Sequence, residues 1–367
     1  MTITGLPRAA LLSIVMLSVS STLAAQTYRT NTVGDMSDRV SRIIQTNSAG
    51  DIVHVINPAT NEVAGVIEGI PHNHGAVLHA DGTYYYITNE HDQTVDVVDT
   101  RTLKIVKSIP LAANPNNLSG SDLARKVYVA ISGAPLVQVI DMDSNEVIKN
   151  VPVSGGVHNT FVTPDGKFAA AGMIGASTIS VIDTSTDEVA WEIELDGGVR
   201  PFTFETWPDG STKRIFAQIT GWHGFYVIDW DKRELVEKIT PPVRPVAEMV
   251  ADGIQNAPSH GAVVLPDQSA LWISSRATAS IYGWSLPDLE YIGHVEVGNP
   301  AWLTAAPDSR HIYIGVASHN ETAVVDVKDL EIVRRIPVGQ APKRIYTAVF
   351  PAGWDEFSEN SPAGDND

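Results

Sequence analysis

The chain contains no cysteine. This excludes disulfides, thiolate metal sites, haem attachment through C-x-x-C-H and cysteine nucleophiles. His, Asp, Glu and backbone oxygen remain as metal ligands. The chain also lacks any apolar run long enough to span a bilayer. Basic residues are scarce: 25 Lys and Arg stand against 43 Asp and Glu, a net charge of −18. Such a surface repels phosphate backbones, so nucleic acid is not an expected partner. A local pocket can still carry the opposite sign. No P-loop, dinucleotide fingerprint or G-x-S-x-G elbow is present. Glycine pairs such as Gly155-Gly156 and Gly197-Gly198 read as turns.

The N-terminus is a separate object. Arg8 gives a positive start, Ala9 to Val19 is apolar but short, and Ser20, Ser21, Ala24 and Ala25 are small. This pattern predicts a secretory signal peptide over residues 1–25, with a lead-in over 26–37 and a periplasmic or secreted mature protein. Loss of Arg8 with the leader takes the charge from −18 to −19.

What is there in abundance is a repeat. Asp81-Gly82, Asp165-Gly166 and Asp209-Gly210 mark turns after apolar segments, and Asp267 and Asp308 sit in the same place without the glycine. A second marker recurs about eighteen residues after the turn position: Val98-Asp99, Ile140-Asp141, Ile182-Asp183, Ile228-Asp229 and Val325-Asp326. Each unit of roughly 40 residues holds four short strands, the signature of a propeller blade. Full blades begin near His74, Asn116, His158, Phe202, His260 and Ala301. Residues 38–70 supply only the last three strands of a unit, and 342–350 only a first strand. Joined, they complete a seventh blade and remove the exposed sheet edge. The expected fold is an all-β, seven-bladed β-propeller over residues 38–350, with four-stranded antiparallel blades. An insertion at about 242–257 precedes one first strand, and 351–367 is an acidic tail.

The strand Tyr86-Ile87-Thr88-Asn89, with weaker copies Val127-Tyr128-Val129-Ala130 and Ile312-Tyr313-Ile314-Gly315, resembles the repeat of the YVTN family of β-propellers. The resemblance covers nearly all of 38–350 and implies the fold. Similar propellers serve as binding scaffolds, as dehydrogenase subunits, and as the catalytic domain of nitrous oxide reductase, where histidines hold a copper cluster. This chain has fewer channel histidines and no cysteine-bearing copper domain, so that activity is not implied.

The repeat then serves as a ruler. Seven residues before each turn aspartate lie His74, His158, Phe202, His260 and Ala301; the later strands add Asn116 and Lys343. First strands are innermost in a propeller, so these positions should ring one mouth of the channel. Neutral imidazole is a common metal ligand, and three histidines with an open position make a catalytic metal site. His74, His158 and His260 are therefore the expected ligands of one transition-metal ion, copper favoured, with zinc, iron or nickel as alternatives. On the same face the turns carry His91, His223 and His319, and the insertion carries Glu248 and Asp252. Glu248 and the three loop histidines are candidate proton-transfer groups. Arg200, Phe202, Trp222, Trp302, Lys343, Arg344 and Asn116 are candidates for substrate binding, the cations for an anionic part. His54, His79, His294 and His311 fall off this face. The expected function is an exported metal-dependent enzyme acting on a small molecule with an anionic part, an oxidoreductase ahead of a lyase. The alternative is a non-catalytic propeller that binds a ligand, a metal or a protein partner. Oligomeric state leaves no mark on the sequence.

Overall fold

The computed structural model describes Met1 and residues 39–242 and 256–354. The rest of the expected leader, the lead-in, residues 243–255 of the insertion and the tail from residue 355 lie outside the described residues, and with them Glu248 and Asp252.

The described residues form seven four-stranded antiparallel sheets. Blades 1 to 6 begin on the inner strands Asn73–Leu78, Pro115–Ser121, Val157–Val162, Val199–Thr206, Ser259–Val264 and Pro300–Ala305. Blade 7 is the joined one. Its inner strand Pro342–Val349 pairs with Ser41–Asn47, followed by Val53–Asn57 and Glu62–Ile67, with Ile44 opposite Tyr346. The ring is thus closed by the two ends of the chain, as the missing strand of 38–70 requires. Among the described residues no helix is long and apolar enough to cross a membrane.

Both sequence markers are turn devices. The Asp81 carboxylate accepts from the Thr83 amide (2.9 Å) and Gly82 takes φ +84°, a left-handed value that suits glycine. Where glycine is replaced, Gln268 and Ser309 take the left-handed value themselves, at +59° and +56°. The second marker caps the hairpin to the outer strand: Asp99 accepts from the amide of Thr102 (2.7 Å), and Asp141 from that of Ser144 (2.8 Å). Burial falls from the axis outward. The inner strand Asn73–Leu78 is buried throughout, whereas the outer strand Ile105–Pro110 buries only Ile109. The core lies between neighbouring sheets, as in the Tyr86, Val97, Leu118 and Val129 cluster of blades 1 and 2.

One irregularity recurs. In each of blades 1 to 6 the inner strand shifts register just after its first residue, for example between Asn73 and Ala76 and between Ser259 and Ala262. In blade 7 the shift falls between Gln45 and Asn47, opposite Lys343 and Arg344. A β-bulge turns side chains out of the ladder and re-aims them. Here every blade bulges at one end of the channel.

Candidate active site at the channel mouth

Pairing, rather than counting, fixes which residues are equivalent. Asn73 opposes Asn89 and Ala76 opposes Ile87; in blade 4 Val199 opposes Ile219 and Phe202 opposes Ala217. The blade 4 equivalent of His74 is therefore Arg200. The expected position, Phe202, is two residues too deep. The reason is a longer hairpin: Thr206 still pairs with Thr212 beyond Glu205 and Arg214, so the inner strand runs on to Thr206 and a count back from Asp209 stops short of Arg200. The ring of second positions reads His74, Asn116, His158, Arg200, His260, Ala301 and Lys343. The next position adds Trp302 and Arg344 just inside it.

The structure brings the three histidines to this one place. The rings of His158 and His260 have centroids 6.0 Å apart, and His260 meets Trp302 edge to face at 5.4 Å. The Thr46 hydroxyl lies within hydrogen-bond reach of the carbonyls of both His74 (2.6 Å) and Arg344 (3.0 Å), which ties their strands together. His260 Nδ1 donates to the Ala301 carbonyl at 2.9 Å, leaving Nε2 as a lone pair. His74 Nδ1 contacts the Glu90 carboxylate, and its Nε2 is buried without a partner. His158 Nδ1 meets the amide of Asn159. Among the described residues, no three His, Asp or Glu side chains are disposed as they stand to hold one metal ion.

The electrostatics are the reverse of the protein's overall charge. Arg344 is only 3% exposed. Its guanidinium stacks 4.0 Å over Trp302 and one Nη donates to Asn116 Oδ1 at 2.5 Å, while Nε and the other Nη have no partner. Burial lowers it to about 9. Burial also lowers Lys343 to about 8, with Arg344 beside it. Arg200 and Arg276 are held down by burial too, and Arg200 by Arg276 as well. The carboxylate among these groups is Glu90, which burial raises while Lys343 and Arg344 pull it back. The histidines stay neutral. Burial first, then Arg344, holds His74 and His158 well below their usual range. Burial takes His260 to about 3 against its bond to Ala301, with Arg344 and Lys343 adding to the effect.

Inside the ring the channel holds a cavity of about 130 Å³. His74, Trp302 and Arg344 line its mouth end, and Leu118, Phe161, Phe202 and Leu303 line its wall. Asp122 and Asp165 stand where the inner strands end. Phe202 packs 4.8 Å from Phe161, so it belongs to this wall.

Other expected residues sit elsewhere on the face. His91 is 64% exposed beside Asp92 and His72. His223 bonds Ser275 Oγ (2.7 Å), and burial lowers it. His319 bonds Ser318 Oγ (2.8 Å). Trp222 packs on Tyr226 with Lys238 over its ring. None of these four makes a hydrogen bond or ring contact with the three central histidines. His79 is tied to the Met142 carbonyl and His311 to Asp308, away from the ring. Two site residues escaped the sequence reading, Glu90 and Arg276. Each is the first residue after a second strand, the same position in blades 1 and 5. Glu90 also precedes His91, so the signal was in the sequence.

No family model and no curated protein matches the chain. Solved structures do. Hydrazine synthase of Kuenenia stuttgartiensis is 18% identical with a TM-score of 0.66, covering 86% of this chain and 99% of that one. A 6-phosphogluconolactonase-like protein of Bacteroides fragilis is 16% identical with a TM-score of 0.66, over 86% and 99%. The dihydro-heme d1 dehydrogenase NirN is 16% identical with a TM-score of 0.58, over 88% and 78%. At this identity the likeness is one of fold: the chain is a seven-bladed β-propeller.

Proposed function

We propose that the channel mouth binds a small anionic molecule, as part of an exported enzyme in which neutral histidines handle the ligand's protons. One observation carries this reading. Arg344 is a buried cation whose Nε and one Nη lack a partner, and Lys343, Arg200 and Arg276 surround the same mouth, with Glu90 as the carboxylate among them. Buried charge without a counter-charge is expensive unless a ligand supplies it. The YVTN membership suggested by the repeats, and the periplasmic or secreted location suggested by the leader, belong to this proposal. The activities of the fold neighbours are not carried over. The test is a thermal-melt and calorimetric screen of the mature protein against short carboxylates, phosphate and sulfate, with neutral amides of the same size as controls. Stabilisation by anions alone, lost in Arg344→Met, is the expected result. Equal response to the neutral amides removes the reading.

A second reading keeps a transition metal, copper ahead of zinc, iron or nickel, on His74, His158 and His260, with redox chemistry ahead of lyase chemistry. The fixed Nδ1 of His260 and the free Nε2 of His74 favour it, because ligand imidazoles are oriented through their other nitrogen. Four neighbouring cations oppose a further positive charge unless an anion enters with it. Metal content of the wild type and of His74→Ala, His158→Ala and His260→Ala separates the two. A stoichiometric ion lost in all three variants supports this second reading.

A further inference from the structure

Resting on the anion-site reading, we infer that the ligand is a short-chain 2-hydroxy-carboxylate, its carboxylate on Arg344 and its hydroxyl donating to Nε2 of His74.

The first line of argument is an inventory of donors and acceptors. Arg344 has no acceptor at Nε or at one Nη; these lie on different edges of the guanidinium, so a carboxylate takes one of them and completes the fork on the second hydrogen of the Nη that Asn116 holds. His74 offers the opposite. Its Nδ1 is engaged by Glu90; burial raises that carboxyl while Lys343 and Arg344 pull it back, and against the ionised carboxylate the ring proton sits on Nδ1 and Nε2 is a lone pair seeking a donor. His74 is 3% exposed, and that Nε2 has no partner. A simple anion satisfies the arginine but leaves the histidine empty. A hydroxyl on the carbon next to the carboxylate supplies both in one small molecule.

The second line is size. His74 and Arg344 line the same cavity of about 130 Å³. A cavity of about 150 Å³ holds one benzene, so there is room here for roughly six non-hydrogen atoms. It suits an acid of three or four carbons better than a sugar phosphate or a nucleotide. The apolar wall of Phe161, Phe202 and Trp302 suits the carbon chain.

The test uses matched acids that differ in one hydroxyl, propionate against lactate and succinate against malate, titrated calorimetrically into the full chain. The hydroxylated member should bind about tenfold tighter, which is ~1.4 kcal/mol. In His74→Ala the preference should shrink to within about twofold while propionate binding persists. If that variant does not fold, ¹⁵N NMR of histidine-labelled wild type replaces it. It should show His74 as the Nδ1–H form, with an Nε2 shift that moves with lactate and not with propionate. Equal binding of the paired acids overturns the inference and leaves the anion site standing, water then being the partner of His74. Failure of every acid and of phosphate to bind overturns the anion site itself.

Discussion

The guanidinium of Arg344 lies 4.0 Å above the ring of Trp302. The two residues occupy the same position in neighbouring inner strands, the second residue after the start in blades 7 and 6. Both follow from the bulge that each blade makes at this end of the channel. The ring face, with the Asn116 bond, holds the cation in place without a carboxylate. That leaves its charge available to a ligand, and its burial is a standing cost to the fold.

That cost can be measured. Arg344→Met keeps the length of the side chain and its packing on Trp302 but removes the buried charge. Unfolding free energy in urea should be unchanged or higher by about 1 kcal/mol, because replacing buried ions by apolar residues is often neutral or stabilising. Anion-induced stabilisation should vanish in the same variant. A loss of several kcal/mol instead would mean that Arg344 is a structural residue.

Acid should weaken the fold through the histidines. His74 and His158 are held well below their usual range and His260 falls to about 3, all by burial first and nearby cations second. In the unfolded chain each takes a proton near pH 6.5. The unfolded state therefore binds more protons below that value, so stability is full above about pH 6.5 and falls as pH drops towards 3. The slope is up to ~1.4 kcal/mol per pH unit for each histidine. Urea melts at pH 7.5 and pH 5 should show this drop, reduced by about a third in His260→Gln. A flat profile over that interval contradicts the burial described here.

Ring closure should be equally visible. A chain ending at Ala341 loses Pro342–Val349, and Ser41–Asn47 becomes an open edge. Its melting point should fall by at least ~10 °C, with aggregation through the edge. Adding the missing strand as a separate peptide should recover part of the loss. No change in melting point would mean that the other six blades suffice.

Most of this architecture was legible because propeller turns are written in side chains. Asp81-Gly82 and Val98-Asp99 each fix a hairpin by a carboxylate-to-amide bond, so their spacing counts the blades. The split blade was legible from a strand that residues 38–70 lack. The ring was legible in blades 1, 3, 5 and 7, where His74, His158, His260 and Lys343 stand. It failed in blade 4, because the first hairpin there runs one rung further, to Thr206 opposite Thr212, which changes a residue count without leaving any residue type behind. The anionic charge of the whole chain hid the cationic mouth, which exists only once Arg200, Arg276, Lys343 and Arg344 are folded together. Glu90 and Arg276 were not legible as site residues because each directly follows a second strand, where a charged residue reads as an ordinary solvated turn until the fold turns it to the mouth.

At Lys343 ligand affinity and fold stability should move in opposite directions with pH. Burial, with Arg344 close by, lowers it to about 8, and Glu90 only partly offsets this. In the free protein its charge is thus lost as pH rises through about 8. Propionate and lactate stay ionised throughout, so their affinity should fall by up to about sixfold between pH 7 and pH 8.8, as the protonated fraction of Lys343 drops. The free protein behaves the other way. Unfolded lysine keeps its proton to about 10.4, so the unfolded state binds more protons between about pH 8 and 10.4, and stability rises with pH across that window. Lys343→Met should bind the acids weakly at both pH values and lose this contribution to the rise. Wild-type affinity that holds constant to pH 8.8 would place the Lys343 ammonium in water, away from the mouth.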